Sequence, residues 1–221
     1  MQLNEWMREY ERIKRRLAHL GLNFDGDRMA RDALARLVRG RKGWLAFLRG
    51  KPAIVFGNAR KNKTALVHPC AVIAADGASE MLLKEGIVPD VVCTDLDGRM
   101  EAIREAGEKG AVIVIHAHGD NISKLEDAVR MLRGCKLIGT TQVEPKGRVY
   151  NFGGFTDGDR CIFLARAFGA SPIGFVGIDF RSAKHGVARR LIGLLRRERA
   201  DIFNLATRRG RREFVRWVRG S

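Results

Sequence analysis

Hydrophobic residues in the first 20 positions recur every three or four. Leu3, Trp6, Met7, Tyr10, Ile13, Leu17 and Leu20 fall on one face, with Arg8, Arg12, Arg15 and Arg16 off it. That spacing predicts an amphipathic helix over 3–20. A second helix is predicted through Met29, Ala33, Leu34, Leu37 and Val38, capped by Asp25 or Asp27. Gly40 and Gly43 interrupt it before a short apolar stretch at 44–48. Residues 1–49 thus read as a helical N-terminal region packed on the core.

From Lys51 the pattern changes to short apolar runs bounded by turn residues, which read as buried strands. Strands are predicted at 53–56, 71–75, 91–94, 111–116, 136–138, 149–152 and 173–178. Helices at 79–84, 100–108, 122–132 and 161–168 alternate with them. This alternation predicts an α/β fold, a doubly wound and mostly parallel sheet, over 50–183. Residues 184–221 read as a C-terminal helical region on the core. It has a helix carrying Leu191, Leu194 and Leu195, a short apolar stretch at 202–205, and a last helix around Phe214, Trp217 and Val218.

Composition changes the picture in two ways. The net charge of +16 suggests a polyanionic partner. Yet the basic excess is +7 over 1–51, zero over 52–183 and +9 over 184–221, so the middle of the chain is neutral. Nucleic acid is therefore not the expected partner. No apolar run reaches the roughly 20 residues of a membrane span, and the N-terminus lacks the order of a signal peptide. Cys70, Cys93, Cys135 and Cys161 are scattered without a Cys-x-x-Cys, which fits free thiols in a reducing cytoplasm.

The candidate chemistry lies at strand ends. The run 71–75 delivers Asp76-Gly77-Ala78-Ser79, and 91–94 delivers Asp95-Leu96-Asp97-Gly98. Open parallel sheets bind ligands beyond the carboxyl ends of their strands, so these carboxylates are expected to converge. Gathered carboxylates repel one another, and a divalent cation is the usual remedy. His116 and His118 close another strand and are expected to face opposite ways. Asp-x-Asp-Gly also supplies the nucleophile and acid of haloacid-dehalogenase-type phosphatases. There it opens the domain and continues with Thr or Val, whereas here it lies mid-chain before Arg99 and leaves Asp76-Gly77-Ala78-Ser79 unexplained.

A second resemblance uses more of the chain. Asp-Gly-Ala, a short helix, Gly86-Ile87-Val88-Pro89-Asp90 and a strand ending in Asp-x-Asp resemble thiamine pyrophosphokinases. Asp120-Asn121-Ile122-Ser123-Lys124 looks like that family's Asp-x-x-x-Lys element. Four further segments, 116–121, 139–142, 151–160 and 177–180, are similar to the archaeal 6-hydroxymethyl-7,8-dihydropterin pyrophosphokinase family, which shares that catalytic fold. The resemblance covers most of 50–180. After the first strand, Gly57-Asn58-Ala59-Arg60-Lys61-Asn62 departs from the expected Gly-Pro-Ser-Leu type of turn.

The resemblance implies a thiamine-pyrophosphokinase-like catalytic domain that transfers pyrophosphate from ATP to the hydroxymethyl oxygen of a reduced pterin, with Mg²⁺. Asp95, Asp97, Asp120 and Lys124 become the catalytic candidates, and Asp76, Asp95, Asp97 and Asp120 the metal ligands. Gly57, Asn58, Asp76, Gly77, Ala78, Ser79, Thr140, Thr141 and Gln142 are expected to bind the nucleotide. Asn151, Phe152, Asp157 and Asp159 are expected to meet the pterin. The expected partners are ATP and the pterin, with a second copy of the chain as a further candidate in a homodimer. A phosphatase and a basic RNA-binding protein are the alternatives.

Overall fold

The computed structural model describes residues 2–58, 69–181, 183–198 and 200–220. The basic loop at 60–63, with the rest of 59–68, lies outside the described residues. Eight strands form one parallel sheet in the order β6-β5-β4-β3-β2-β1-β7-β8. They are β1 Ala53–Phe56, β2 Ala71–Ala75, β3 Val91–Thr94, β4 Val112–Ala117, β5 Lys136–Thr141, β6 Val149–Tyr150, β7 Ile173–Val176 and β8 Ile202–Asn204. From β1 the chain steps outward to β6, then returns to the other side of β1 as β7. The neighbours β1 and β7 are therefore the point where the winding reverses, the place where such sheets hold ligands.

Helices cover both faces. The helices α1 (Leu3–Leu17), α6 (Asp157–Ala167) and α7 (Ala183–Glu198) bury Trp6, Tyr10, Ile13, Ile162, Leu164 and Leu191 against one face. On the other lie α2 (Asp27–Leu37), α3 (Ala78–Lys84), α4 (Met100–Glu108), α5 (Leu125–Met131) and α8 (Arg208–Gly220), burying Leu34, Leu82, Ile103, Leu125 and Phe214. Strand residues alternate between the two cores, so Val55 and Ile73 face one and Ile54 and Val72 the other. Both faces being covered explains why the strands read as continuous apolar runs.

Several expectations shift. The last apolar stretch is a strand, β8, paired with β7 at the edge, so the C-terminal region is not purely helical. Met29 is 67% exposed; Ala30 and Leu34 form the buried stripe of α2 instead. Neither Asp25 nor Asp27 caps α2, whose N-cap is Gly26 with no side-chain hydrogen bond. The predicted helix at 122–132 begins as a 3₁₀ turn, Gly119–Lys124, and becomes α-helical only at Leu125.

Most consequential is β5, which runs on to Thr141, pairing Thr140 with His116 and Thr141 with Ala117. The stretch Gly139-Thr140-Thr141, expected beyond the end of a strand, is thereby built into the sheet. Threonine suits a pleated, half-buried strand, and neighbouring pairing overrides the glycine.

Candidate active site

A cavity of about 850 Å³ opens at the carboxyl ends of the strands. Asp76, Asp95, Asp120 and Asp157 all line it, although they lie 81 positions apart in the chain at the extremes. Gly57 and Asn58 after β1, and Gly177, Ile178 and Asp179 after β7, line it as well. The cavity therefore spans the reversal point that the topology marks.

Each carboxylate is placed by local chemistry. Asp76 sits at the end of β2 with φ of +45°, a conformation that favours glycine, and Thr94 Oγ1 donates to its Oδ1 at 2.5 Å. A Cβ on Gly98 would lie 2.6 Å from Asp76 Oδ2, so the chain must be bare there. Leu96 also has positive φ, 72°, and its amide donates to Thr94 Oγ1 at 2.9 Å. This kink buries Leu96 and turns Asp97 outward. Asn121 holds the other side of the turn: its Nδ2 donates to the carbonyls of Asp95, at 2.8 Å, and His116, at 2.7 Å. The strained loop is thus tied from both flanks, as expected where strain positions a functional group.

His118 joins the two acidic loops. Its Nδ1 accepts the Asp120 amide at 3.3 Å, so in the neutral ring Nε2 carries the hydrogen and points toward Asp95 Oδ2 at 3.7 Å. His116 lies behind it, fully buried, with the two rings 6.1 Å apart and roughly parallel. The expectation of opposite facings fails because strand side chains repeat with a period of two, which puts i and i+2 on one side. Thr140 Oγ1 accepts from His116 Nδ1 at 3.2 Å while donating to the carbonyl of Ile115. Burial, followed by the charge of Arg160, holds His116 well below its ordinary pKa of 6.5.

A basic group whose folded pKa is depressed takes up a proton on unfolding. Its contribution to stability is full above pH 6.5 and is lost as pH falls below that value. From this group alone, unfolding free energy should fall by about 1.4 kcal/mol per pH unit below 6.5. Denaturant titrations of wild type and His116→Gln between pH 5 and 8 check this, the variant showing the shallower slope.

Electrostatics distinguish the acidic wall. Asp76 is raised above the usual carboxylate range by burial, with Asp95 adding to the rise against the Thr94 hydrogen bond. Asp157 is raised well above it, first by burial and next by Asp95; Arg160, 2.9 Å away, acts the other way. Among the described residues, Asp76 and Asp95 have no Lys or Arg ion-pair partner. Like-charge crowding of this kind is relieved by a cation.

The sequence-derived candidates divide. Gly57, Asn58, Asp76, Asp95, Asp120, Gln142 and Asp157 line the cavity. Asp97 stands beside it, 67% exposed at the side chain, bonded to Lys124 Nζ at 2.6 Å. Gly77 packs against Asn58, where a Cβ would meet Nδ2 at 2.9 Å. Ala78 and Ser79 are buried in the first turn of α3, and the Ser79 hydroxyl donates to the Asp76 carbonyl.

Thr140 and Thr141 do not reach the cavity, because β5 extends through them. Asn151 is used locally, donating to Val143 O at 2.8 Å and accepting from Gly153 N. Phe152 packs between Tyr150 and Phe168. Asp159 is fully buried as the N3 member of the α6 capping box, accepting from the amides of Phe155 and the N-cap Thr156.

Sequence reasoning missed the contribution of the N-terminal region. Leu22, Asn23, Phe24 and Asp27 line the cavity. Asp27 is buried and accepts from Gly119 N at 2.8 Å, from Gln142 Nε2 at 3.0 Å and from the Tyr10 hydroxyl. The Asn23 amide donates to Asp120 Oδ1 at 3.2 Å. Helical periodicity cannot reveal partners nearly 100 positions away. The only sequence signal was an aspartate next to the apolar stripe. Arg160 was missed as well, although its partners are local: its Nη2 donates to Phe155 O at 2.6 Å and its Nη1 to Asp157 at 2.9 Å.

Comparison with known proteins decides the family. The sequence model of the family described as "6-hydroxymethylpterin diphosphokinase MptE-like" matches residues 32–185. The chain belongs to this family. Its curated relatives include the 6-hydroxymethyl-7,8-dihydropterin pyrophosphokinase of Methanothermobacter thermautotrophicus, 42% identical over 190 residues, covering 81% of this chain and 79% of that protein. The namesake of Pyrococcus furiosus is 42% identical over 189 residues with the same coverage of both chains. That of Methanocaldococcus jannaschii is 40% identical over 154 residues, covering 67% of this chain and 63% of that one. A solved thiamine pyrophosphokinase from Bacillus subtilis is a weaker likeness, with 17% identity and a TM-score of 0.39 over 70% of this chain and 60% of that one. The MptE-like match includes the loops that carry Asp76, Asp95, Asp120 and Asp157 and begins after Asp27.

The donor set of this family member fits magnesium. Among the described residues, no three or more His, Cys, Asp or Glu side chains form a ready metal cage. Magnesium rarely needs one: it binds through one or two carboxylates, waters and substrate phosphates. Asp76 and Asp95 offer such hard oxygens, and among the described residues no cysteine lines the cavity. Among the described residues no helix is long and apolar enough to cross a membrane.

Proposed function

We propose that the protein transfers pyrophosphate from ATP to the hydroxymethyl group of 6-hydroxymethyl-7,8-dihydropterin in a magnesium-dependent reaction that releases AMP. The observation that carries this reading is the meeting of Asp76, Asp95, Asp120 and Asp157 in one cavity. The names of the curated relatives supply the acceptor. The hydroxymethyl oxygen forms a bond to the β-phosphorus, and the bond from that phosphorus to the α–β bridging oxygen breaks. The departing AMP keeps the bridging oxygen, and the hydroxyl proton passes to a base.

Magnesium, when bound, withdraws charge from the phosphate oxygens and aligns them for attack. Asp76 and Asp95 would hold it, with Asp120 and Asp97 at the rim. Asp76 is suited to this because Thr94 and Gly98 fix its carboxylate. Lys124 is half exposed and, among the described residues, bonded only through the ion pair to Asp97, so its ammonium can turn to a phosphate at small cost. Gly57 and Gly177 lie so close that a Cβ on Gly57 would be 2.4 Å from Gly177 O. Their bare backbone lets a ligand approach. A rim carboxylate accepts the hydroxyl proton.

Family membership displaces the other two readings. An Asp-x-Asp phosphatase also needs its second carboxylate in the cavity, and Asp97 is exposed beside it instead of lining it. Incubation with ATP, Mg²⁺ and the reduced hydroxymethylpterin should yield one AMP per acceptor consumed. Absence of AMP, or release of inorganic phosphate from a monophosphate without ATP, would refute the proposal.

A further inference from the structure

The cavity is not uniform, and its wall near Asp157 has a composition that the phosphate chemistry does not require. Phe24 and Phe155 both line it and lie nearly parallel, with ring centroids 6.4 Å apart at 29°. Phe155 is buried, whereas Phe24 keeps part of its surface open. Tyr10 meets Phe24 edge-on at 6.1 Å and fixes its tilt. The carbonyl of Phe155 accepts from Arg160, and Arg160 pairs with Asp157. An aromatic face, a guanidinium and a half-buried carboxylate thus follow one another along one wall. The rest of the lining has a different character, with Arg181, Lys184, Asn58 and the bare backbone of Gly57 and Gly177.

We propose that the aromatic wall is the acceptor end of the cavity and that Phe24 is a specificity residue against which the acceptor's flat heterocycle packs. This rests on the pyrophosphokinase reading above. A fused amino-pyrimidine ring presents a π-face and an edge of N–H donors. Aromatic side chains suit the face, and a carboxylate accepts from the edge. Asp157 is near enough to Asp95 and Asp76 to feel both charges. A ring held here would carry its hydroxymethyl group toward the acidic wall, leaving the basic side chains and bare backbone of the remaining lining to the nucleotide. Phe24 belongs to the N-terminal segment that precedes the matched family region, so that segment supplies part of the recognition surface. Phe152, the aromatic favoured by sequence, packs in the core away from this wall.

The test uses full-length wild type, Phe24→Ala and Phe24→Trp. Binding of the reduced hydroxymethylpterin alone is measured by calorimetry, and Michaelis constants for both substrates by AMP release. In Phe24→Ala, the acceptor's dissociation constant and KM should both rise about tenfold, a loss of about 1.4 kcal/mol. KM for ATP should stay within about twofold, and Phe24→Trp should restore acceptor binding. Unchanged acceptor binding in Phe24→Ala overturns the placement, as does a parallel rise in KM for ATP. If wild type makes AMP while Phe24→Ala is unaffected, only this inference falls. If wild type neither binds nor uses the pterin, the functional reading falls and this inference with it.

Discussion

Asp95→Asn should lower the rate of AMP release by about a hundredfold or more while leaving the protein folded. The carboxamide keeps the size of the side chain and removes its charge. The main chain at this position is held independently, by Asn121 Nδ2 on the Asp95 carbonyl at 2.8 Å, so the loop has no reason to move. Removing one of the mutually repelling carboxylates should also relieve Asp76 and Asp157, both of which Asp95 pushes upward. Stability should therefore hold or rise as activity disappears. Asp97→Asn should have the smaller effect, because Asp97 is exposed and meets Lys124 rather than the cavity. Steady-state kinetics with thermal melting of both variants check the order. Equal activity of Asp95→Asn and wild type would remove Asp95 from the metal site.

Gly98→Ala should cost about a hundredfold in activity through displacement alone, since a misplacement of about 1 Å at a reacting group has that effect. A methyl at Gly98 would sit 2.6 Å from one oxygen of Asp76 and 2.7 Å from the other. Asp76 cannot yield cheaply, because its backbone is in the left-handed region and its carboxylate is bonded to Thr94. Gly193→Ala is the matched control. It lies inside α7, a Cβ there meets nothing within 4 Å, and it should raise stability by about 0.8–1 kcal/mol with unchanged activity. If Gly98→Ala behaves like Gly193→Ala, the fixed pose of Asp76 has no role.

Much of the fold was legible because its signals are local. The runs 53–56, 71–75 and 91–94 coincide with β1, β2 and β3, since strands buried on both faces are apolar throughout. Asp76, Asp95 and Asp120 could be placed together because one topological rule puts strand ends on one rim. The errors arise where a distant partner decides. Thr140 and Thr141 are strand through pairing with β4, which no local pattern encodes. Asp159 resembles a substrate residue in sequence because its neighbour Asp157 faces the cavity. Two positions, about 200° around the helix, separate lining from capping there. Asp27 and Phe24 reach the cavity only because the chain between α1 and α2 crosses from one face of the sheet to the other beside the strand ends. β8 is too short, at three residues, to show a period.

The proposed mechanism requires carboxylates from separate loops to hold one magnesium·nucleotide complex. Crystals grown with Mg²⁺ and a non-hydrolysable ATP analogue test this most directly. The expected result is an ion about 2.0–2.1 Å from an oxygen of Asp76 or Asp95 and from phosphate oxygens of the analogue. A nucleotide bound elsewhere, or an ion in the cavity that touches neither aspartate, would contradict it.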